Sequence, residues 1–330
     1  MLKAAYVLKR HSFDLIYGPD EQRDLASLVQ VIGPPVTPEE FKKDLDRYRD
    51  VEIIFSGWGG PLFDAELLAG LPNLKAVFYG AGSIKTLVTD AFWERNIPIT
   101  SSYAANAIPV AEFTLAQILF SLKAGWHCIM QSRENKKYGR PKSVIGAYGS
   151  TVGLVSLGMI GRRVAQLLQP FDLNVIAFDP MISPERAGEL RLGLCSLSDV
   201  FKRSDVVSLH TPWLKETENL IDGKLISSMK PGATLINTSR GAIVNEPEMI
   251  AVLKERPDIW AVLDVTWPEP PKPDSALWQL PNVILTPHIA GSLDNECRRM
   301  GRVVVDELAR FLKGEPLRFS ISRQLAMTMA

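Results

Sequence analysis

Cysteine is scarce in this chain. The three present among 330 residues, Cys128, Cys195 and Cys297, are scattered and odd in number. That spacing argues against a disulfide framework or a zinc site and fits reduced thiols in a cytoplasmic compartment. An excess of one charge is also missing, because 37 Lys and Arg face 37 Asp and Glu. Nucleic acid and anionic membrane surfaces therefore gain no support as partners. No apolar run approaches the roughly 18 residues that suggest a membrane span. The apolar stretch within Met1 to Arg10 is too short for a secretory signal and reads as a first strand. Internal repeats and low-complexity segments are lacking as well.

What remains is an ordinary globular composition, 46% hydrophobic and 22% charged, with a length that favours two domains. Strand-like runs alternate with helical patterns, the mark of βαβ units and a mostly parallel sheet. A first series of strands is expected at 4–8, 29–32, 51–55 and 75–79, with helices over 38–49 and 61–71. A second series falls at 152–155, 174–178, 206–209, 233–237, 260–263 and 283–285. Six strands alternating with helices suit a doubly wound dinucleotide-binding sheet. An apolar helix over 107–126 joins the series. After the last strand, 294–313 spaces Met300, Val303, Val304, Leu308, Phe311 and Leu312 along one helical stripe. That helix is expected to return to the first domain, which is then built from both ends of the chain; the alternative is a helix that caps the second sheet. The polar, basic stretch 128–148 is too long for an ordinary connection and is expected to be a mobile loop or an arm onto a partner subunit.

Thr151 to Ala165 has the form strand, tight turn, helix. The dinucleotide fingerprint is G-x-G-x-x-G, and here Ser156 stands at its first position while Gly158 and Gly161 remain. Gly158 lets a pyrophosphate approach the backbone, and Gly161 lets the helix lie against the strand. The amides of Met159 and Ile160 then point at the anion from the helix start. Asp179 closes the next apolar strand, where an acid binds the ribose 2′-hydroxyl and repels a 2′-phosphate. NAD is thus expected in preference to NADP. Ser156 departs from the pattern, and a side chain at a turn suited to glycine costs up to about 1 kcal/mol.

Three further strand-like runs deliver Arg240, Asp264 followed by Glu269, and His288. The carboxyl ends of parallel strands share one rim, and open α/β sheets bind ligands there. An arginine suits a planar carboxylate, and histidine beside a carboxylate is an acid/base that works near neutral pH. Reduction of a 2-keto carbon puts negative charge on oxygen and calls for such a proton donor. His210 also ends a strand, but one acid/base suffices and a structural role is expected for its ring. His11 and His127 have no partner visible in the sequence.

With these residues assembled, the chain resembles the D-isomer-specific 2-hydroxyacid dehydrogenases. The resemblance rests on Asn237-Thr238-Ser239-Arg240-Gly241, Leu263-Asp264-Val265 with Glu269-Pro270, and Thr286-Pro287-His288-Ile289-Ala290-Gly291-Ser292. Ser208 to Pro212 and Val110-Ala111-Glu112 add to it. It implies a Rossmann NAD-binding domain, residues 104–292, inserted into a flavodoxin-like substrate domain, residues 1–103 and 293–330, in a homodimer. It further implies that Arg240 holds the substrate carboxylate and keto oxygen, and that His288 is the acid/base with Glu269 as its partner. Asp264 would face the nicotinamide carboxamide, and His210, Thr211, Pro212, Thr238, Ser239 and Gly291 would border the cofactor. Gly80-Ala81-Gly82 follows the strand ending at Tyr79, and the resemblance gives Ala81 and Gly82 to the substrate carboxylate. Ser83-Ile84-Lys85 replaces the acidic residue often found next. Trp58 is placed at the outer wall, and Trp213 and Trp267 either add aromatic surface or cover core or subunit contacts. The expected partner is a small 2-keto or 2-hydroxy acid of D configuration, with no metal, nucleic acid or membrane. The rival reading is a non-catalytic NAD-sensing module like the corepressors of this fold. Formate dehydrogenase is disfavoured, since that relative has glutamine where Glu269 stands.

Overall fold

The computed structural model describes residues 1–138 and 144–329. The chain divides into two compact units, Met1–Ala107 with Ser292–Met329, and Ile108–Gly291. The first unit carries five strands, β1 (Lys3–Tyr6), β2 (Gln30–Val31), β3 (Ile53–Ser56), β4 (Ala76–Tyr79) and β5 (Ile99–Ser101). They pair in parallel in the order β2-β1-β3-β4-β5, the flavodoxin-like arrangement. The second unit carries seven, β6 (Thr151–Val155), β7 (Asn174–Phe178), β8 (Gly193–Leu194), β9 (Val206–Leu209), β10 (Thr234–Asn237), β11 (Trp260–Leu263) and β12 (Val283–Leu285). Their order, β12-β11-β10-β9-β6-β7-β8, reverses direction between β6 and β9, as in a Rossmann sheet.

Both sheets are covered on both faces, which is why their strands read as continuous apolar runs rather than alternating ones. Ala5 and Val7 point into one core with Ile54 and Val77, while Ala4, Tyr6 and Leu8 point into another with Phe55 and Phe78. In the second unit Val207, Leu235 and Leu263 face one layer, and Leu154, Val206 and Ile236 the other. The period of two along each strand sorts them.

The Cys297–Leu312 helix buries Cys297, Met300, Val304, Val305 and Leu308 against Ile16, Phe55 and Phe78 of the first unit, with Val303 and Phe311 packed on the same cluster. Leu312, expected on that stripe, is exposed. The core instead takes Val305.

Several elements differ from expectation. The Arg10–Ile16 and Pro19–Leu28 helices and strands β5 and β8 were not anticipated. Strand β5 is three residues long, two of them polar, and β8 is a two-residue edge, so neither shows a period. The expected helix over 38–49 is a helix at Pro38–Lys43 followed by a 3₁₀ turn at Leu45–Tyr48. The 128–148 stretch begins inside a helix, Gly125–Asn135, where a loop or arm was expected; residues 139–143 of it lie outside the described residues. The joining helix runs Tyr103–Leu122 and, contrary to the expectation of no such run, is long and apolar enough to cross a membrane by length and composition. Its hydrophobicity has a local use, since Ala111, Ile118 and Leu122 enter the core with Val152 and Leu154.

Candidate active site

At the start of the Met159–Leu168 helix the chain turns from β6 through Ser156, Leu157 and Gly158. A Cβ on Gly161 would lie 2.2 Å from the Ser156 carbonyl oxygen, so only glycine lets the helix close on the turn. Ser156 itself sits in the left-handed region at φ 74°, the conformation expected to favour glycine. Its amide donates to the Phe178 carbonyl at 2.8 Å, and its hydroxyl meets Thr211 Oγ1 at 3.0 Å. The helix has no side-chain cap, and apart from Gly158 and its two chain neighbours no described residue has an atom within 4 Å of where a Gly158 Cβ would be. The amides of Met159 and Ile160 therefore begin a helix with room for an anion in front of it.

Asp179 follows β7 and joins the same turn. Its Oδ2 accepts from the Leu157 amide at 2.6 Å and its Oδ1 from the Met181 amide at 2.7 Å. Those bonds fix the carboxylate beside the glycine turn and leave it lone pairs for a diol. An uncapped helix start, an open glycine and a fixed acid fit a dinucleotide.

His210 lies behind this turn. Its ring is buried and Nε2 pairs with Ser208 Oγ at 3.1 Å. Burial pushes its pKa down to about 4, which keeps the ring neutral. Thr211 is buried as well, and the Pro212 carbonyl accepts from Thr217 Oγ1 at 2.6 Å.

The Arg240 loop leaves β10 under the control of Asn237, a residue to which sequence patterns alone assign no role. Its side-chain oxygen accepts from the Ser239 amide (3.0 Å) and hydroxyl (2.8 Å), and its Nδ2 donates to the Arg240 carbonyl at 3.0 Å. Thr238 Oγ1 pairs with Thr114 Oγ1 at 2.9 Å, a contact between residues 124 apart in the chain. Arg240 Nη1 donates to the Ser239 carbonyl at 2.6 Å. Burial lowers the pKa of the guanidinium from its ordinary value, and the Glu269 carboxylate pulls it back up. The arginine stays charged and feels the glutamate.

Gly241 brings this loop onto the next one. A Cβ there would lie 2.0 Å from the carbonyl carbon and oxygen of Thr266, so the two backbones touch. Beyond Thr266 the chain reaches Glu269, whose Oε1 lies 2.6 Å from His288 Nδ1. Both side chains are partly exposed, 39% for the glutamate and 48% for the histidine. Nδ1 is thereby committed to the carboxylate, leaving Nε2 as the ring atom for a substrate.

His288 stands on a strained turn, with φ at 54°. Asp264 holds it there. The Asp264 carbonyl accepts from the His288 amide at 3.0 Å. Its Oδ1 accepts from Thr286 Oγ1 at 2.6 Å and the Ile289 amide at 2.9 Å, and its Oδ2 from the Ala290 amide at 2.9 Å. The carboxylate expected against a nicotinamide thus spends three acceptor positions on the histidine turn, which Gly291 ends. No sequence signal distinguished that use, because its donors lie 22 to 26 residues away.

Trp58, Ala81 and Gly82 belong to the first unit. Trp58 is half-buried against both of that unit's cores. Ala81 is buried, and its carbonyl accepts from Ser101 Oγ at 2.9 Å, as does that of Gly82. Among the described residues no group of His, Cys, Asp and Glu is arranged to hold a metal.

The chain is similar to known proteins. Residues 117–290 match the family described as D-isomer specific 2-hydroxyacid dehydrogenase, NAD binding domain. A D-3-phosphoglycerate dehydrogenase of Archaeoglobus fulgidus is 31% identical over 78% of this chain and 49% of its own. The chain thus spans about half the length of the phosphoglycerate dehydrogenases that it matches. An (S)-sulfolactate dehydrogenase of Chromohalobacter salexigens is 35% identical over 76% of this chain and 81% of its own. The crystal structure of D-lactate dehydrogenase with NAD+ from Lactobacillus jensenii superposes with a TM-score of 0.79 at 26% identity, covering 98% of this chain and 100% of that one. NAD is the cofactor that the fold, the family and this turn share. On these grounds the chain belongs to the D-isomer-specific 2-hydroxyacid dehydrogenase family.

Proposed function

We propose that the protein reduces a small 2-keto acid to the D-2-hydroxy acid with NADH, and runs the reverse reaction with NAD+. The single observation that carries this reading is the Glu269–His288 bond of 2.6 Å on a loop whose backbone touches Gly241, the residue after Arg240. In this reading the second unit is the cofactor domain and the first the substrate domain. The same reading gives Ala81 and Gly82 to the substrate carboxylate and Trp58 to the wall of the site.

When bound, NADH supplies a hydride to C2 of the keto acid. Arg240 pairs with the substrate carboxylate and polarises the keto oxygen, and its charge persists throughout the cycle. His288 delivers its Nε2 proton to that oxygen as negative charge builds there, so C=O becomes CH–OH. Glu269 holds the ring at Nδ1 and stabilises the imidazolium that precedes transfer. Asp264 keeps the histidine turn in place. Asp179 takes the adenosine ribose, and its charge favours NAD over a 2′-phosphorylated cofactor. Gly158, Met159, Ile160 and Gly161 cradle the pyrophosphate. Thr211, Pro212, Thr238, Ser239 and Gly291 line the cofactor's path, while His210 supports the turn from behind.

The test is NADH oxidation against glyoxylate, pyruvate, phenylglyoxylate, 3-phosphohydroxypyruvate and sulfopyruvate, with chiral analysis of the product. The expected result is turnover of at least one acid to the D product and loss of turnover in His288→Gln with NADH affinity retained. Near-normal turnover in His288→Gln rejects the acid/base assignment. Intact NADH binding with no turnover of any acid favours the sensor reading instead. A homodimer completes the proposal: Ile129, Tyr138 and Tyr148 are exposed apolar side chains close together in sequence. Sedimentation equilibrium measures that directly.

A further inference from the structure

Glu269 sits on a segment poor in anchors. Pro268, Pro270, Pro271 and Pro273 remove four backbone donors from its surroundings. Within Thr266 to Pro271 the chain is held by few bonds. Thr266 Oγ1 donates to the Pro268 carbonyl at 2.8 Å, and the Trp267 amide donates to Glu246 Oε2 at 3.2 Å. A glutamate that must stay within 2.6 Å of His288 needs more than this.

Beyond the contact of the Thr266 carbonyl with Gly241, further support comes from an aromatic pair. Trp267, two residues before Glu269 and half exposed, meets Trp213 edge to face with ring centroids 4.6 Å apart. Trp213 stands on a loop that is well laced. Thr217 Oγ1 donates to the Pro212 carbonyl at 2.6 Å and accepts from the Leu214 amide at 2.8 Å. Ser156 Oγ ties Thr211 to the dinucleotide turn at 3.0 Å, and Trp213 Nε1 reaches Glu218 Oε2 at 3.4 Å. One ring is therefore fixed from its own loop, and the other lends that fixity to a proline segment with little of its own.

We infer that Trp213 is a positioning residue for the Glu269–His288 pair, acting through its edge-to-face contact with Trp267. The inference rests on the acid/base reading above and goes beyond it, since it gives Trp213 a role exerted through Trp267 on the catalytic pair. A loop glutamate released by even one ångström loses its grip on the ring, and misplacement of that size lowers the rate of the chemical step rather than cofactor affinity.

The experiment compares Trp213→Leu, Trp213→Phe, Trp267→Leu and the double variant Trp213→Leu/Trp267→Leu, each checked for folding by circular dichroism. The readouts are kcat and KM for the best keto acid, NADH Kd, and the downfield proton resonance of His288 Nδ1, assigned by its loss in His288→Gln. Trp213→Leu is expected to lower kcat by roughly tenfold and broaden that resonance, with NADH Kd and KM within about twofold. Trp213→Phe should restore both, and the double variant should be no worse than Trp267→Leu alone. If Trp213→Leu does not fold, Trp267→Leu carries the same expectation. A sharp resonance and normal kcat in Trp213→Leu overturn the inference. So does a fully additional loss in the double variant, or a loss confined to NADH Kd. Normal turnover in both His288→Gln and Glu269→Gln instead overturns the acid/base reading.

Discussion

The Gly241 α-carbon lies against the Thr266 carbonyl, so closely that a Cβ would come within 2.0 Å of its carbon and oxygen. The loop bearing Arg240 and the loop bearing Glu269 therefore meet at the closest approach that two backbones allow. Gly241→Ala must push them apart. Overpacking of this kind costs about 1–3 kcal/mol, and here the displaced atoms belong to the loops that carry Arg240 and Glu269. We expect a lower urea midpoint together with a loss of turnover. A variant as stable and active as the parent would show that the loops tolerate wider spacing.

Asp264→Asn tests the histidine turn. Three donors converge on two carboxylate oxygens, and an amide offers only one oxygen. At least one donor loses its acceptor, most directly the Ala290 amide at Oδ2. The expected cost is about 1–3 kcal/mol of stability, accompanied by weaker catalysis because the His288 backbone is held at φ 54° by these contacts. Denaturation and kcat measured on the same preparation decide it; unchanged values in both would remove Asp264 from this role.

Ser156 combines a strained backbone with a useful hydroxyl. The left-handed conformation at φ 74° costs a side chain about 1 kcal/mol. The bond to Thr211 Oγ1 returns a similar amount, about 0.5–1.5 kcal/mol. Ser156→Gly removes both and should be close to neutral in stability. Ser156→Ala keeps the strain and loses the bond, so it should be the least stable of the three. Thermal melts that rank alanine level with serine would sink the balance described.

His210 makes stability depend on pH in one direction. Its pKa falls from 6.5 in the unfolded chain to about 4 in the fold, through burial. Between those values the unfolded chain binds a proton that the folded one does not. The contribution is complete above about pH 6.5 and is lost as pH falls toward 4, amounting to roughly 3 kcal/mol across the window. Urea titrations between pH 7.5 and 4.5 should show the slope, and His210→Gln should flatten it. An equal slope in the variant would assign the pH dependence to other groups.

Much of the cofactor turn is legible in the amino-acid sequence. Gly158, Gly161 and Asp179 can be read there because a turn, a close helix approach and a strand-end acid each demand particular residue types at short spacing. The same holds for the second series of strands, whose apolar runs are dictated by burial on both faces. Shorter, polar elements such as Ile99–Ser101 carry no such period and escape a sequence reading.

By itself, then, the sequence determined two parallel sheets, a dinucleotide turn, and an arginine, a glutamate and a histidine beyond successive strands. These follow from local chemistry, which acts over a few residues. Only the tertiary structure decided that Asp264 turns to the His288 loop, that Thr238 meets Thr114, and that Trp213 abuts Trp267. It also took up, of the two placements that the sequence left open for the Cys297–Leu312 helix, the expected one against the first sheet. Each of these joins residues tens to hundreds of positions apart, and no periodicity or spacing rule connects such pairs; packing of the whole chain does.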